Sequence, residues 1–231
     1  MNTDKNSSRV LGAAFLLQAV TALISGAVLL GPLTASDSIT ENMINISNNV
    51  LRMQSGIFLD MITALGIIFL GAILFITLKK QNEKIALVAL GFYILEAALL
   101  VMSRSVAYTL LRISQQSVIA GHPAYLQTIG SLALESMDYI GGALAMLAFC
   151  LGAILFYYLL DKARIIPRFL SLWGLITVFP CLIATLLLVF GYDVPFIVYL
   201  PYAPFEFVVG IWILVKGINK APETSQQLAI A

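Results

Sequence analysis

Charged residues are scarce in this sequence. Only 11% of its 231 residues are Asp, Glu, Lys or Arg, whereas about a quarter of a typical soluble domain is charged. Thirteen Lys and Arg against twelve Asp and Glu leave a net charge of +1, so no basic surface of the kind that binds nucleic acid is expected. The composition therefore excludes an ordinary soluble domain and a nucleic-acid-binding protein.

Cysteine, histidine and the familiar catalytic motifs are also nearly absent. Two cysteines and one histidine do not make a tetrahedral zinc pattern, and Cys150 and Cys181, both inside apolar runs, are interpreted as apolar filler. The sequence has no G-x-S-x-G, phosphate-binding loop, H-E-x-x-H or dinucleotide motif. We therefore predict no cofactor, and these absences count against an enzyme. They do not exclude a membrane enzyme whose catalytic carboxylates are scattered along the chain, because such residues form no contiguous motif.

Long apolar runs dominate the chain. Apolar residues make up 60% of it and its mean hydropathy is +0.96. Each run is close to the roughly 20 residues that cross about 30 Å of hydrocarbon. The sequence predicts an all-α, polytopic membrane protein with a single domain over residues 1–220 and a short cytoplasmic tail at 221–231. Its six transmembrane helices are expected at 10–32, 53–78, 85–109, 136–160, 168–191 and 197–216.

The distribution of basic residues predicts the orientation. The connections at 79–84 and 161–164 are short and basic, whereas those at about 33–52 and 110–135 are longer and almost free of Lys and Arg. Ten of the thirteen basic residues fall on one side together with both ends of the chain. Because basic loops stay in the cytoplasm, both termini are predicted to be cytoplasmic and the longer connections to face outward.

One hexapeptide occurs twice. Leu70–Phe75 and Leu151–Phe156 have the same six letters, and each copy leads into a basic connection. This repetition indicates either a duplicated helical hairpin, as transporters often have, or a coincidence within a biased alphabet.

Ionisable residues inside the apolar runs are the candidate site residues. A charge at a helix centre costs roughly 2.5–3.5 kcal/mol, so these side chains are expected to face each other or water. We predict that they line an acidic chamber that opens outward and is closed by apolar packing toward the cytoplasm. Glu96 is expected near the midplane and the others toward the outer ends. The candidates for ligand or proton binding are Arg52, Asp60, Glu96, Arg104, Glu135, Asp138 and Glu206.

Each candidate also has a purely structural interpretation. Glu96 with Arg104 or Arg52 makes either a packing ion pair or a substrate or proton site, and Glu135 and Asp138 are either solvated acids or chamber residues. His122 is either a turn residue or joins Glu135 and Asp138 in an oxygen-rich metal site suited to Mg, Ca or Mn. The aromatic residues expected to form an outer interfacial belt are Tyr192, Phe196, Tyr199, Tyr202 and Phe205.

Three patches resemble a known family. They are Asn45-Ile46 followed by Arg52 and Asp60, the segment Pro167–Gly174, and Glu206 with Trp212, Lys216 and Gly217. Together they resemble the bacterial six-helix membrane proteins of domain-of-unknown-function family 4386. The resemblance implies a prokaryotic plasma membrane and a six-helix fold. It brings no activity, substrate or cofactor, although the pattern includes Arg52, Asp60 and Glu206.

Three functions remain open on the sequence. The leading hypothesis is a transporter or sensor that binds a small cationic or amphipathic ligand in the acidic chamber, with membrane lipid around it. The second is a membrane-embedded enzyme that uses Glu135, Asp138 and His122 around a metal or a water molecule. The third is a scaffold or subunit whose polar helix faces bind a partner helix, so that the carboxylates are satisfied only in the complex.

Overall fold

The computed structural model describes residues 2–218, with side chains described from residue 9 onward. Within this range the chain is all-α and has no strand. The predicted tail at 221–231 and Lys220 lie outside the described residues. The helices are α1 (Asn2–Leu23), α2 (Ile39–Asn48), α3 (Val50–Leu78), α4 (Glu83–Ile119), α5 (Ala124–Asp138), α6 (Ala145–Ala163), α7 (Arg168–Val189) and α8 (Phe205–Lys216).

Two helices continue through wider π-helical turns. α1 passes into π turns at Ile24–Leu30 and a 3-10 turn at Gly31–Leu33, and α5 joins α6 through π turns at Tyr139–Leu144. α5 and α6 are therefore one long helix with an irregularity, and π turns inside helices occur often at functional sites.

Among residues 2–218, five helices are long and apolar enough to cross a membrane. They cover Arg9–Leu33, Val50–Leu78, Glu83–Ile119, Ala124–Ala163 and Arg168–Val189. These correspond to the first five predicted spans. The sixth stays a prediction, because α8 has 12 residues and a length of about 18 Å.

A non-helical connector precedes α8. It runs over 190–204, contains a 3-10 turn at Phe196–Tyr199, and includes Pro195, Pro201 and Pro204. Prolines lack the amide hydrogen that a helix interior requires, so the predicted helix at 197–216 forms only in its second half. The indole nitrogen of Trp173 donates a 3.1 Å hydrogen bond to the Pro201 carbonyl, which holds the connector against α7.

The third predicted span was ended too early and the fourth was started too late. The stretch at 110–135, expected as a connection, is helical except for residues 120–123. Polar residues do not by themselves end a helix, and α4 ends only where Gly121 adopts a φ of 75° and Pro123 follows. α4 therefore has 37 residues, about 55 Å, which is longer than the hydrocarbon is thick.

The helices are arranged in a ring with two hydrophobic cores. α1 packs against α8 and α3, α3 against α4, α4 against α6, and α6 against α7. Edge-on aromatic contacts of α8 with α7 close the ring, with ring centroids 5.9 Å apart for Trp173 and Phe205. We call the end where α3 and α6 stop and α4 and α7 begin the basic end, and the opposite end the distal end. The main core fills the ring, and a smaller one near Ile46 and Met53 joins α2 to the distal end.

Both copies of the repeated hexapeptide pack against the same residue. A Cβ on Gly71 would lie 3.1 Å from the Tyr93 Cβ, and one on Gly152 would lie 2.7 Å from the Tyr93 ring. Gly71 faces the next helix along the chain, whereas Gly152 faces an earlier one. The two copies therefore occupy different environments, and a duplicated hairpin stays a prediction.

The predicted outer aromatic belt is wrong for two of its members. Tyr202 and Phe205 are only 8% and 0% exposed and belong to the main core. Tyr192 and Phe196 are exposed, in agreement with an interfacial position. The difference arises because the connector turns inward and carries Tyr202 and Phe205 into the ring.

Candidate functional site

An ion pair links the second and third of the long helices. Nε of Arg104 on α4 lies 2.8 Å from Oδ2 of Asp60 on α3, and the two side chains are only 15% and 7% exposed. The N–H of Nε is not aligned for a hydrogen bond, so the attraction between the charges is the main contact. Both residues were predicted as site residues, and the structure brings them together.

A cavity opens beside this pair, which we call the distal cavity. Its volume is about 1080 Å³, comparable with the upper range of small-molecule sites. Arg104 contributes to its wall, together with the end of α5, the π turns and the start of the connector. The lining residues are Arg104, Glu135, Ser136, Met137, Asp138, Tyr139, Gly141, Gly142, Ala143, Leu188, Gly191, Tyr192 and Asp193.

The π turns at 139–144 shape the cavity wall. A Cβ on Gly141 would lie 2.8 Å from the hydroxyl oxygen of Ser103 and 3.6 Å from Nη2 of Arg104, whereas one on Gly142 would meet nothing within 4 Å. Ser103, which is fully buried, donates a 2.8 Å hydrogen bond to the carbonyl of Met137. Gly141 therefore lets α4 approach the irregular helix closely, while Gly142 faces open space.

The distal cavity carries more negative than positive charge. Among the described residues that line it, Arg104 is the only basic one, and Asp60 already neutralises its charge. Glu135, Asp138 and Asp193 are exposed carboxylates. Arg104 also lies within electrostatic reach of Asp138. The ionised site therefore has a net charge close to three negative units.

Arg52, which was predicted as a site residue, and Arg112 lie elsewhere. Arg52 donates through Nη2 to the carbonyl of Val28 in the π turns of α1, and Arg112 donates a 3.2 Å hydrogen bond to Gln115 on its own helix. Neither arginine forms an ion pair with a predicted carboxylate in the described part of the chain. Arg52, predicted as a site residue, instead binds a backbone carbonyl of the π turns.

Glu206 lies deeper than predicted. Its Oε2 accepts a 2.6 Å hydrogen bond from Gln18 on α1, and its Oε1 accepts a 2.8 Å bond from the Tyr202 hydroxyl. The Tyr202 and Tyr157 hydroxyl oxygens lie 2.5 Å apart and are hydrogen-bonded. Because α8 begins only at Phe205 and Glu206 is ten residues from Lys216, Glu206 lies about 15 Å from the end of that helix. It belongs to the interior of the ring and not to an outer entrance.

Glu96 belongs to the same interior group. The residue is half-buried, but its Oε2 is buried and has no hydrogen-bond partner. Glu206 lies close enough to repel it when both are ionised. Glu96 contacts neither Arg104 nor Arg52 as an ion pair. We call Gln18, Tyr93, Glu96, Tyr157, Tyr202 and Glu206 the inner cluster. The single predicted chamber is therefore two separate sites.

The predicted metal alternative is not assembled. His122 lies in the turn before α5 with a φ of 60°. Glu135 lies 11 residues beyond Ala124, where α5 begins, which is about 17 Å at helical rise. Among the described residues no three His, Cys, Asp or Glu side chains are placed to hold a metal ion. The structure does not bring His122 to Glu135 and Asp138.

Several site residues could not be selected from the sequence. Asp193 lies in the connector and reaches the distal cavity only because the cavity forms between α7 and the π turns. Tyr93, Tyr157 and Tyr202 lie in apolar stretches, where tyrosine is unremarkable. Gln18 gave a weak signal, since it lies in a polar stripe on α1 with Thr21.

Comparison with known proteins gives one match. The model of the family described as Domain of unknown function (DUF4386) matches residues 10–217. No curated protein matches the chain, and no solved structure matches it.

Proposed function

The chain belongs to the family Domain of unknown function (DUF4386), and from that premise we propose that it binds a small organic cation, apolar on one side, in the distal cavity. The family match and the five long apolar helices describe a multi-pass membrane protein of undefined activity. A transporter or a sensor of such a cation fits this architecture.

One observation supports the sign of the ligand above all others. Among the described residues of the cavity wall, Arg104 is the basic one. Its charge is neutralised by Asp60, whose Oδ2 lies 2.8 Å from Arg104 Nε. Glu135, Asp138 and Asp193 on the rim have no ion-pair partner among the described residues. Carboxylates that share a confined space repel one another unless a proton or a cation is present. A cation in the cavity therefore offsets the net negative charge of its wall.

The apolar part of the wall supports the amphipathic part of the proposal. Leu188, Tyr139 and Ala143 line the cavity beside the carboxylates. Sites for small molecules combine an apolar wall with a few placed polar groups. A cation with an apolar body satisfies both parts of the surface, whereas a small metal ion leaves the apolar part unused.

The orientation follows from the charge distribution. Lys79, Lys80 and Arg164 lie at the basic end of the ring, at the ends of α3 and α6. Because basic segments stay on the cytoplasmic side, the distal cavity opens outward and both termini are cytoplasmic in our proposal. We also propose that the membrane is a prokaryotic plasma membrane. In this proposal the connector and α8 together form a sixth crossing.

Fluorescence binding of ethidium, an organic cation with an apolar ring system, tests the proposal. Purified protein in phosphatidylcholine nanodiscs is titrated with ethidium, and the anionic dye anilinonaphthalene sulfonate serves as the probe of opposite charge. We expect saturable binding of ethidium and weaker binding of the anion. Asp138→Asn is expected to weaken ethidium binding about tenfold, which corresponds to about 1.4 kcal/mol.

Asp37→Asn is the matched control, because Asp37 is an exposed carboxylate at the distal end that does not line the cavity. It is expected to leave the ethidium Kd unchanged. Equal binding by wild type and Asp138→Asn, or preferential binding of the anionic dye, would contradict the proposed site.

A further inference from the structure

The inner cluster contains two buried groups whose polar atoms lack a partner. The Tyr93 hydroxyl has no hydrogen bond, although Tyr93 is only 2% exposed, and Oε2 of Glu96 is buried without a partner. A buried polar atom left unpaired costs about 1–3 kcal/mol. Oε2 of Glu96 therefore has no donor among the described residues, and the Tyr93 hydroxyl does not supply one.

Glu206, in contrast, has a hydrogen-bond donor for each of its carboxylate oxygens. Gln18 and Tyr202 both donate to it, one to each carboxylate oxygen. Tyr157 extends the hydrogen-bonded chain by one hydroxyl. Glu96 has no such donor on Oε2 among the described residues, and it experiences the charge of Glu206 when both are ionised.

In the part of the chain that the structure describes, no basic side chain pairs with the two carboxylates. The neighbouring group on α1 is the Gln18 amide, and the one on α4 is Tyr93. The neighbouring groups on α6 are Tyr157 and Cys150, and the connector contributes Tyr202. The thiol of Cys181 is the titratable group that α7 adds next to Cys150. On α3 the acid is Asp60, which pairs with Arg104. Within residues 9–218 no Lys, Arg or His forms an ion pair with Glu96 or Glu206.

We propose that Glu96 and Glu206 together bind one exchangeable proton inside the ring, and that Tyr157 and Tyr202 extend this proton site through their hydroxyls. Two carboxylates in a medium of low dielectric constant repel each other strongly when both are ionised. One proton removes that repulsion and supplies the missing donor. The remaining negative charge is stabilised by the donors on Glu206.

This proton site is separate from the distal cavity. Glu96 is eight residues before Arg104 on α4, which places the two about 12 Å apart along the helix. The proposal does not depend on cation binding in the cavity. It adds a second site, of a kind that membrane proteins use in proton relays.

Infrared spectroscopy detects the proton directly. Purified protein in dodecyl maltoside, which has no carbonyl group, is measured at neutral pH in H₂O and in D₂O. A protonated carboxyl gives a C=O stretching band above the amide region that shifts on deuteration. We expect this band in the wild type, its loss in both Glu96→Gln and Glu206→Gln, and its retention in Asp138→Asn, which removes a carboxyl from the distal cavity instead.

Tyr202→Phe keeps the test decisive if a glutamate variant does not fold. This variant retains both carboxyls and the aromatic packing but removes one donor to Glu206, so the band is expected to shift in frequency and persist. Circular dichroism checks the helicity of every variant. Absence of the band in the wild type, its persistence in both glutamine variants, or its loss on adding Na⁺ at constant pH would overturn the proposal.

Discussion

Gln18 and Glu206 are 188 residues apart in the sequence, and the Gln18 amide donates a 2.6 Å hydrogen bond to the Glu206 carboxylate. The helices that carry them approach closely, because a Cβ on Gly12 would lie only 2.8 Å from the carbonyl oxygen of Gly210. Small residues allow this approach in membrane helices. The contact joins the first long helix to the last helix and completes the ring around the inner cluster.

Gln18→Leu is expected to lower the free energy of unfolding by about 1–2 kcal/mol, because it leaves one oxygen of Glu206 without its donor. Unfolding in mixed detergent micelles, followed by circular dichroism, measures the change. Gln54→Leu is the control, since Gln54 is exposed on α3, and it is expected to change stability little. Equal effects of the two substitutions would show that the hydrogen bond contributes nothing.

The Asp60–Arg104 pair is expected to show strong coupling in a double-mutant cycle. Asp60→Leu or Arg104→Met alone leaves a buried charge unpaired, which costs about 3–5 kcal/mol. The double variant is expected to be more stable than either single variant, because no unpaired charge remains. The same unfolding measurement provides the coupling free energy.

Arg168→Met provides a matched comparison for that cycle. Arg168 lies 3.5 Å from Asp161, and its side chain is 66% exposed. Exposed ion pairs contribute about 0–1 kcal/mol, so its loss is expected to be small. Additive single effects of Asp60→Leu and Arg104→Met would mean that the buried pair is not coupled.

Gly141→Ala and Gly142→Ala are expected to differ although the residues are neighbours. A Cβ on Gly141 meets the Ser103 hydroxyl at 2.8 Å, and this overpacking is expected to lower the free energy of unfolding by about 1–3 kcal/mol. A Cβ on Gly142 enters open space, so Gly142→Ala is expected to keep the stability of the wild type. Thermal unfolding of the two variants side by side distinguishes them, and the reverse order of stability would contradict the described packing of the π turns.

Thiol labelling is expected to place the distal end outside the cell. Cys150 and Cys181 are both 0% exposed, so the wild type is expected to react slowly with a membrane-impermeant maleimide. Asp37→Cys is expected to react in intact cells, and Lys80→Cys only after the cells are permeabilised. Labelling of Lys80→Cys in intact cells, with Asp37→Cys protected, would reverse the proposed orientation.

The sequence was a good guide to what depends on local composition. Runs of about 20 apolar residues predicted five helices that the structure contains as long apolar helices, because an apolar helix satisfies its backbone hydrogen bonds without water. The same reasoning selected Asp60 and Arg104, since a charge inside such a run requires a partner. It could not assign the partner, because Asp60 and Arg104 lie on different helices.

Predictions that depended on where a helix stops were less accurate. α4 continues to Ile119 because polar side chains on a helix that projects beyond the apolar layer are compatible with helical hydrogen bonding. α8 begins only at Phe205 because the prolines before it interrupt the helix. Hydropathy does not report either boundary, since it measures the burial preference of a segment and not its backbone geometry.

The sequence by itself determined an all-α protein rich in membrane-length helices, with ionisable residues that require compensation. Only the tertiary structure divided those residues into a distal cavity and an inner cluster. Asp138 and Glu206 appeared equivalent as acids near helix ends, yet one lines the cavity and the other accepts hydrogen bonds from Gln18 and Tyr202. The reason is physical: the depth and partners of a side chain depend on how the connector folds and which helices pack, and these are long-range interactions that no local window of sequence contains.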